Sequence, residues 1–184
     1  TKQYARKTVY VYSGGVNEKK GVLELIKLFK LYRTKEEELI ILGTGRSLEE
    51  CKKQADNRVK VLGFTENVQE YLEKADVYIS NSKSEGMAIA IIEALENGLH
   101  LFLSKIPSHL EIFKISEECY LGEYFEKSNL WNIIIWTKKM LWASWKKKIK
   151  EENRENIKKF QKEHLSAEAM MSEYEKIYEH SCNE

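Results

Sequence analysis

Short runs of β-branched and aromatic residues alternate with longer stretches in which apolar residues recur every three or four positions. Val9 to Tyr12 is the first short run, and it ends at Ser13-Gly14-Gly15, which predicts a strand followed by a tight loop. From Gly21 to Tyr32 the apolar residues Val22, Leu25, Ile26, Leu28 and Phe29 fall at near-helical spacing. Leu39 to Leu42 predicts a second buried strand, closed by Gly43-Thr44-Gly45. Ser47 with Glu50 three residues on predicts a capping box at the next helix. Val59 to Leu62 reads as a third strand stopped by Gly63, Val68 to Lys74 as a short helix, and Val77 to Ser80 as a fourth strand. A polar loop with Glu85-Gly86 follows, then a helix opening at Met87 and Ala88, then Gly98 and a strand over Leu99 to Leu103. Cys119 to Leu121 predicts the last strand, and from Ser128 onward the pattern is helical, with a break between Trp145 and Glu155.

Near-continuous apolar strands separated by helices predict an α/β fold, a Rossmann-like doubly wound parallel sheet with additional C-terminal helices. The expected organisation is a single domain over residues 1–184, with the sheet and its helices up to about residue 125 and C-terminal helices over 126–184. At 184 residues the chain is long enough for a sizeable core. Its 30 Lys and Arg against 29 Asp and Glu leave no global field to attract nucleic acid. Cys51, Cys119 and Cys182 are widely separated and lack zinc-ligand spacing, so they read as reduced thiols of a cytosolic protein. No apolar run approaches the roughly 20 residues of a membrane span, and no secretory leader is visible. The chain opens at Thr1 without a methionine and enters a strand almost at once, which reads as an excised piece.

The candidate chemistry concentrates between Asn81 and Ile112, where a strand hands over to a helix, the place where open α/β sheets bind ligands. Gly86 allows close backbone approach, and the free N–H groups of a helix opening at Met87 and Ala88 suit a phosphate; the plainer alternative is that Gly86 only makes a turn. Carboxylates repel a phosphate, so Glu85 and Glu93 are better used as acceptors for hydroxyls. Glu93 lies about five residues into the helix, roughly 7–8 Å along its axis. A nucleotide's ribose could span that offset from its phosphates. Glu93 could instead be a surface residue, but its apolar neighbours Ala90, Ile91, Ile92, Ala94 and Leu95 argue against a lone solvated charge. A second loop, Ser13-Gly14-Gly15 with Lys20-Gly21, combines glycines with a point charge. Alone it is equally an ordinary strand-to-helix loop with surface lysines. Both loops leave the carboxyl ends of parallel strands, on one edge of the sheet.

Taken in order, these motifs resemble the C-terminal, donor-binding half of a GT-B glycosyltransferase of the retaining family 4, also called group 1. The resemblance covers nearly the whole chain. Glu85 and Glu93 in SEGMAIAIIEAL match the family's Glu-x7-Glu element, and Gly14-Gly15-Val16…Lys20-Gly21 matches its Gly-Arg-Leu…Lys-Gly loop. Gly43-Thr44-Gly45, VKVLGF at Val59 to Phe64, Ala75-Asp76-Val77, SKIPSHLEI at Ser104 to Ile112, and LSAEAMMSEYEKIY at Leu165 to Tyr178 also fall in register.

The resemblance implies a hexosyltransferase that moves a sugar from a nucleotide-diphospho-sugar, by default a UDP-sugar, to a glycan or lipid-linked acceptor in surface-polysaccharide synthesis, with retention. By the same resemblance Glu93 binds the ribose hydroxyls and Glu85 the hydroxyls of the transferred sugar. Gly86, Met87 and Ala88 offer amides to sugar and distal phosphate, Gly14 and Gly15 belong to the diphosphate loop, and Lys20 neutralises the leaving group. Phe64 and Thr65 border the base. Lys20 and Glu85 are thus the candidate catalytic residues. No metal or other cofactor is implied, since Lys20 and helix amides supply the charge stabilisation and no Asp-x-Asp motif is present.

In one respect the chain departs from the family, with Gly15 where an arginine usually joins the lysine; Arg46 and Lys83 are the candidate replacements. A noncatalytic nucleotide-binding or scaffolding subunit of a glycosyltransferase pair is therefore the second functional reading. The acceptor-binding N-terminal half is expected to be missing, leaving a chain that binds donor and transfers nothing. The stretch from Leu130 through Trp131, Trp142 and Trp145 to Lys150 either covers the sheet and the missing half or lies peripherally at the inner face of a membrane. His100 and His109 read as core or loop residues.

Overall fold

The computed structural model describes residues 7–33, 35–86, 89–116, 119–125 and 151–182. Six strands alternate with helices: β1 (Thr8–Ser13), α1 (Val22–Tyr32), β2 (Glu37–Leu42), α2 (Leu48–Lys53), β3 (Val59–Gly63), α3 (Val68–Lys74), β4 (Val77–Ser80), α4 (Ile89–Glu96), β5 (His100–Ser104), α5 (Pro107–Ile115) and β6 (Gly122–Phe125), followed by α6 (Glu151–His164) and α7 (Ala167–Cys182). The strands pair in parallel in the order β3-β2-β1-β4-β5-β6. This is the expected Rossmann-like doubly wound sheet. The direction of winding reverses between β1 and β4, so the loops that leave their carboxyl ends diverge and open a crevice.

Strand alternation divides the core between two faces. Tyr10, Tyr12, Leu39, Ile41, Val77 and Ile79 face α1 and α2, whose Leu25, Ile26, Phe29 and Cys51 are fully buried. Val11, Tyr78, Leu101 and Leu103 face the other way, against Leu72 of α3, Ile91 and Leu95 of α4, and Ile157 and Phe160 of α6.

Three expectations about the elements are corrected. The last strand is not Cys119–Leu121 but Gly122–Phe125. A Cβ at Gly122 would stand 2.0 Å from the Leu101 carbonyl, so this glycine starts the strand by its close approach to β5 instead of ending one. Ser47 sits at the N-cap of α2 but makes no side-chain capping bond. Its N–H is tied to the Val16 carbonyl at 3.0 Å and Leu48 N–H to Gly45 O at 3.0 Å. That turn holds Ser47 at φ −96°, ψ 6°, outside the extended conformation a capping side chain needs. Pro107–Ile115, to which the sequence pattern assigns no helix, is α5, with Pro107 in its first turn. In the C-terminal region Glu151–His164 is one helix and Ala167–Cys182 the next; most of the span in which a break was expected, Trp145 to Lys150, lies outside the described residues. The rest of the stretch from Ser128, including Trp131, Trp142 and Trp145, lies outside the described residues. Among the described residues no helix is long and apolar enough to cross a membrane.

Helix α6 is fastened to the α3 and α4 side through Arg154. Its Nε donates to Asn97 O at 3.0 Å, and a terminal nitrogen donates to Glu73 O at 3.1 Å and Ala75 O at 2.9 Å. These carbonyls end α3 and α4, where the helix dipoles favour a cation. Arg154→Ala is expected to lower the unfolding free energy by about 2 kcal/mol, measured by urea denaturation; a loss below about 0.5 kcal/mol would mean that water replaces these bonds equally well.

Candidate functional site

The crevice between β1 and β4 holds a cavity of about 130 Å³ lined by Tyr12, Ser13, Gly14, Lys20, Tyr78, Ser80, Glu85 and the first turn of α4 at Ile89 to Ile91. The Lys20 ammonium forms an ion pair with the Glu85 carboxylate. Glu85 is only 11% exposed and Lys20 26%. Two residues singled out from separate loops thus meet in one place.

A stitched backbone brings them together. Asn81, buried beyond the end of β4, donates its side-chain amide to Gly21 O at 3.0 Å, and Lys83 N–H donates to Lys19 O at 2.8 Å. Asn17 Oδ1 accepts from Lys20 N–H at 3.0 Å, shaping the turn that carries the lysine. From the next strand, the buried Ser104 hydroxyl donates to Ser82 O at 2.6 Å, and His109 Nδ1 donates to Ser104 O at 2.7 Å. The SKIPSHLEI segment therefore ties down the Glu85 loop, with His109 fully buried in α5.

Two phenols support the glycine loop. Tyr12 OH donates to Gly15 O at 2.8 Å and Tyr78 OH to Ser13 O at 3.0 Å. Burial is the main cause that pushes both phenols well above the ordinary tyrosine range, and the Glu85 carboxylate adds to the push. Both therefore remain O–H donors at neutral pH. The loop also packs on the one after β2. Gly14 N–H donates to Leu42 O at 3.1 Å and Val16 N–H to Thr44 O at 2.8 Å. A Cβ on Gly43 would lie 1.9 Å from Gly14 O, and one on Gly45 2.2 Å from Val16 O, which explains the Gly-Thr-Gly spelling in steric terms.

The other candidates are placed as follows. Gly14 lines the cavity, and Gly15 is the next residue of the same loop, half-buried. Gly86 is exposed, with nothing among the described residues within 4 Å of where a Cβ would stand, so their packing does not demand a glycine there. Met87 and Ala88 lie outside the described residues. Phe64 is 73% exposed just beyond β3, beside the half-buried Thr65, on the same edge of the sheet but away from the cavity. Two strand spacings, roughly 10 Å, separate β3 from β1. Glu93 is exposed, which corrects the inference from its apolar neighbours. The buried face of α4 is Ile91, Ala94 and Leu95, and Glu93 projects from the opposite side. Its charge still reaches the Tyr78 phenol. Neither suggested stand-in for an arginine lines the cavity: Lys83 pairs with Glu24 at 3.6 Å, and Arg46 is exposed on the β2–α2 loop. Among the described residues no cluster of His, Cys, Asp and Glu has the makings of a metal site.

The family model described as Glycosyl transferases group 1 matches residues 1–160. Among curated proteins the chain is similar to the O-antigen biosynthesis glycosyltransferase WclY of Escherichia coli, 23% identical over 133 residues, 72% of this chain and 30% of that protein. It is also similar to the poly(glycerol-phosphate) alpha-glucosyltransferase of Bacillus subtilis, 34% identical over 86 residues, 43% of this chain and 13% of that one. The chain therefore spans less than a third of the length of these relatives. Among solved structures TarM, known from S. aureus, superposes with a TM-score of 0.77 at 18% identity, over 97% of this chain and 36% of that one. HepE of Anabaena, solved with UDP, superposes with a TM-score of 0.74 at 17% identity, over 95% of this chain and 49% of that one. At such identities these two structures speak to the fold.

Proposed function

Because this chain belongs to the glycosyl transferases group 1, we propose that it is the donor-binding half of a retaining glycosyltransferase, taking a sugar from a UDP-sugar for a glycan or lipid-linked acceptor of surface-polysaccharide synthesis. The observation that carries this reading is the meeting of Lys20 and Glu85 in a cavity at the winding reversal of the sheet. Glycosyl transfer builds negative charge on the departing phosphate oxygen, and a cation held in place there lowers the barrier without reorganisation. Lys20 is that cation. Glu85 accepts from hydroxyls of the transferred sugar, exposed Glu93 takes the ribose hydroxyls, and Phe64 with Thr65 borders the base roughly 10 Å from the phosphates. Gly14, Gly15 and the Gly86-Met87-Ala88 segment supply backbone donors.

The relatives' names support the acceptor class, and HepE, solved with UDP and with UDP-glucose, supports the donor. Transfer requires a second, acceptor-binding half closed on the first, so this chain alone is expected to bind the donor and turn nothing over.

Calorimetric titration with UDP, GDP and a panel of their sugars tests the assignment. Saturable binding of one nucleotide is expected, weakened about tenfold by Glu93→Ala through the loss of a charge-assisted bond to the ribose. Wild-type binding that Glu93→Ala leaves unchanged would remove the ribose role from this residue.

A further inference from the structure

Ser13, the last residue of β1, carries a buried hydroxyl near the Tyr78 phenol. The residue is 7% exposed, and its Oγ is buried without a hydrogen-bond partner among the described residues. Strand alternation turns its side chain to the face of Val11, toward Tyr78 and α4. There it lines the cavity that Lys20 and Glu85 share. Its backbone is not free to swing the group elsewhere, because the Ser13 carbonyl accepts from Tyr78 OH at 3.0 Å and the residue pairs in register with Leu42 of β2. A buried hydroxyl without a partner destabilises the protein that carries it, and an alanine or valine would end the strand at less cost. A ligand that brings its own acceptor removes the penalty.

We infer that the Ser13 hydroxyl is a ligand-binding group, donating to an oxygen of the diphosphate that Lys20 neutralises. The inference rests on the donor-binding reading above. A phosphate oxygen is the partner chosen because the cation lining the same cavity marks where anionic oxygens settle, and a serine beside it adds an O–H donor. Glu85 already supplies the acceptor that sugar hydroxyls need.

Ser13→Ala and Ser13→Cys in this chain, titrated with UDP, GDP and UDP-glucose and melted without ligand, test the assignment. Both variants are expected to weaken the bound nucleoside diphosphate and its sugar by the same factor, about five- to twentyfold, while the ligand-free melting temperature holds or rises. Cysteine keeps the volume without a strong donor, so a loss shared by both variants belongs to the hydrogen bond and not to a cavity. Wild-type affinity in Ser13→Ala, a loss confined to UDP-glucose, or a lowered ligand-free melting temperature in both variants would each overturn the role. A wild-type chain that binds none of the three would overturn the donor reading and the serine's role together; binding by wild type with an unaffected alanine variant overturns the serine alone.

Discussion

Gly15→Arg is expected to tighten the binding of a nucleoside diphosphate by about 10- to 100-fold, the effect of one more charge-assisted partner in a partly desolvated site. The backbone is ready for the side chain. Gly15 does not occupy the left-handed region, and among the described residues a Cβ there would meet only the Asn17 side-chain amide, at 3.2 Å. That amide is the end of a short polar chain and can yield a few tenths of an ångström while its Oδ1 keeps the bond to Lys20 N–H. By contrast Gly43, with a neighbouring carbonyl 1.9 Å from its virtual Cβ, tolerates no such change. A planar, permanently charged guanidinium at 15 would stand in the same loop as Lys20 and could engage the diphosphate through two N–H groups. The gain should shrink as salt is raised, as for any partly exposed charge. Calorimetry with UDP at two ionic strengths reads both effects. An arginine variant that folds and binds no better would mean that the loop is not arranged around a diphosphate, and would favour the noncatalytic alternative for this chain.

The framework that carries these residues was legible because its strands are short apolar runs, and β1, β2 and β3 are each closed by a glycine. The rule failed at β6, where Gly122 opens the strand: an edge strand with one exposed side spells Gly-Glu-Tyr-Phe, not a solid apolar run. It also failed to see α5, whose apolar content is modest and whose start is marked by Pro107 alone. At the site, the residue types and their loops could be read, but their meeting could not. Lys20 and Glu85 are 65 positions apart, Asn81 and Gly21 are 60, and Ser104 and Ser82 are 22. Hydrogen bonds over such separations leave no periodic trace in a single chain. The supporting phenols of Tyr12 and Tyr78 were hidden for another reason: in a strand, tyrosine reads as core. Glu93 was misjudged because adjacency in sequence was taken for adjacency in space, whereas a residue two positions from Ile91 on a helix points away from it. Arg154 lay in a charged helix whose sequence gives no hint that one guanidinium closes the ends of two others.

Glu85→Gln is expected to separate the ion pair that Glu85 makes with Lys20 from the donor-binding role proposed for both. In the ligand-free chain Glu85 occupies Lys20 as its counter-ion, so a bare nucleoside diphosphate must compete with a carboxylate that is only 11% exposed. Removing the negative charge while keeping the side chain's shape frees the ammonium for the phosphate, and UDP should bind about tenfold tighter. A UDP-sugar gains the same freed lysine but loses the charge-assisted bonds that the carboxylate accepts from its hydroxyls. These changes oppose each other at about 1.5–3 kcal/mol apiece, so its affinity should move by no more than about threefold. The preference for sugar-bearing over bare nucleotide should thus fall, and titration of both ligands against wild type and variant measures it as a ratio that errors in protein concentration do not disturb. Equal tightening of both ligands would leave Glu85 as a mere counter-ion with no hold on the sugar. Equal weakening would mean that Lys20 needs the carboxylate to keep its place. If the proposed roles hold, a carboxylate that serves both would re-form its ion pair with Lys20 once no sugar engages it, and the pair would then compete with the bare nucleotide.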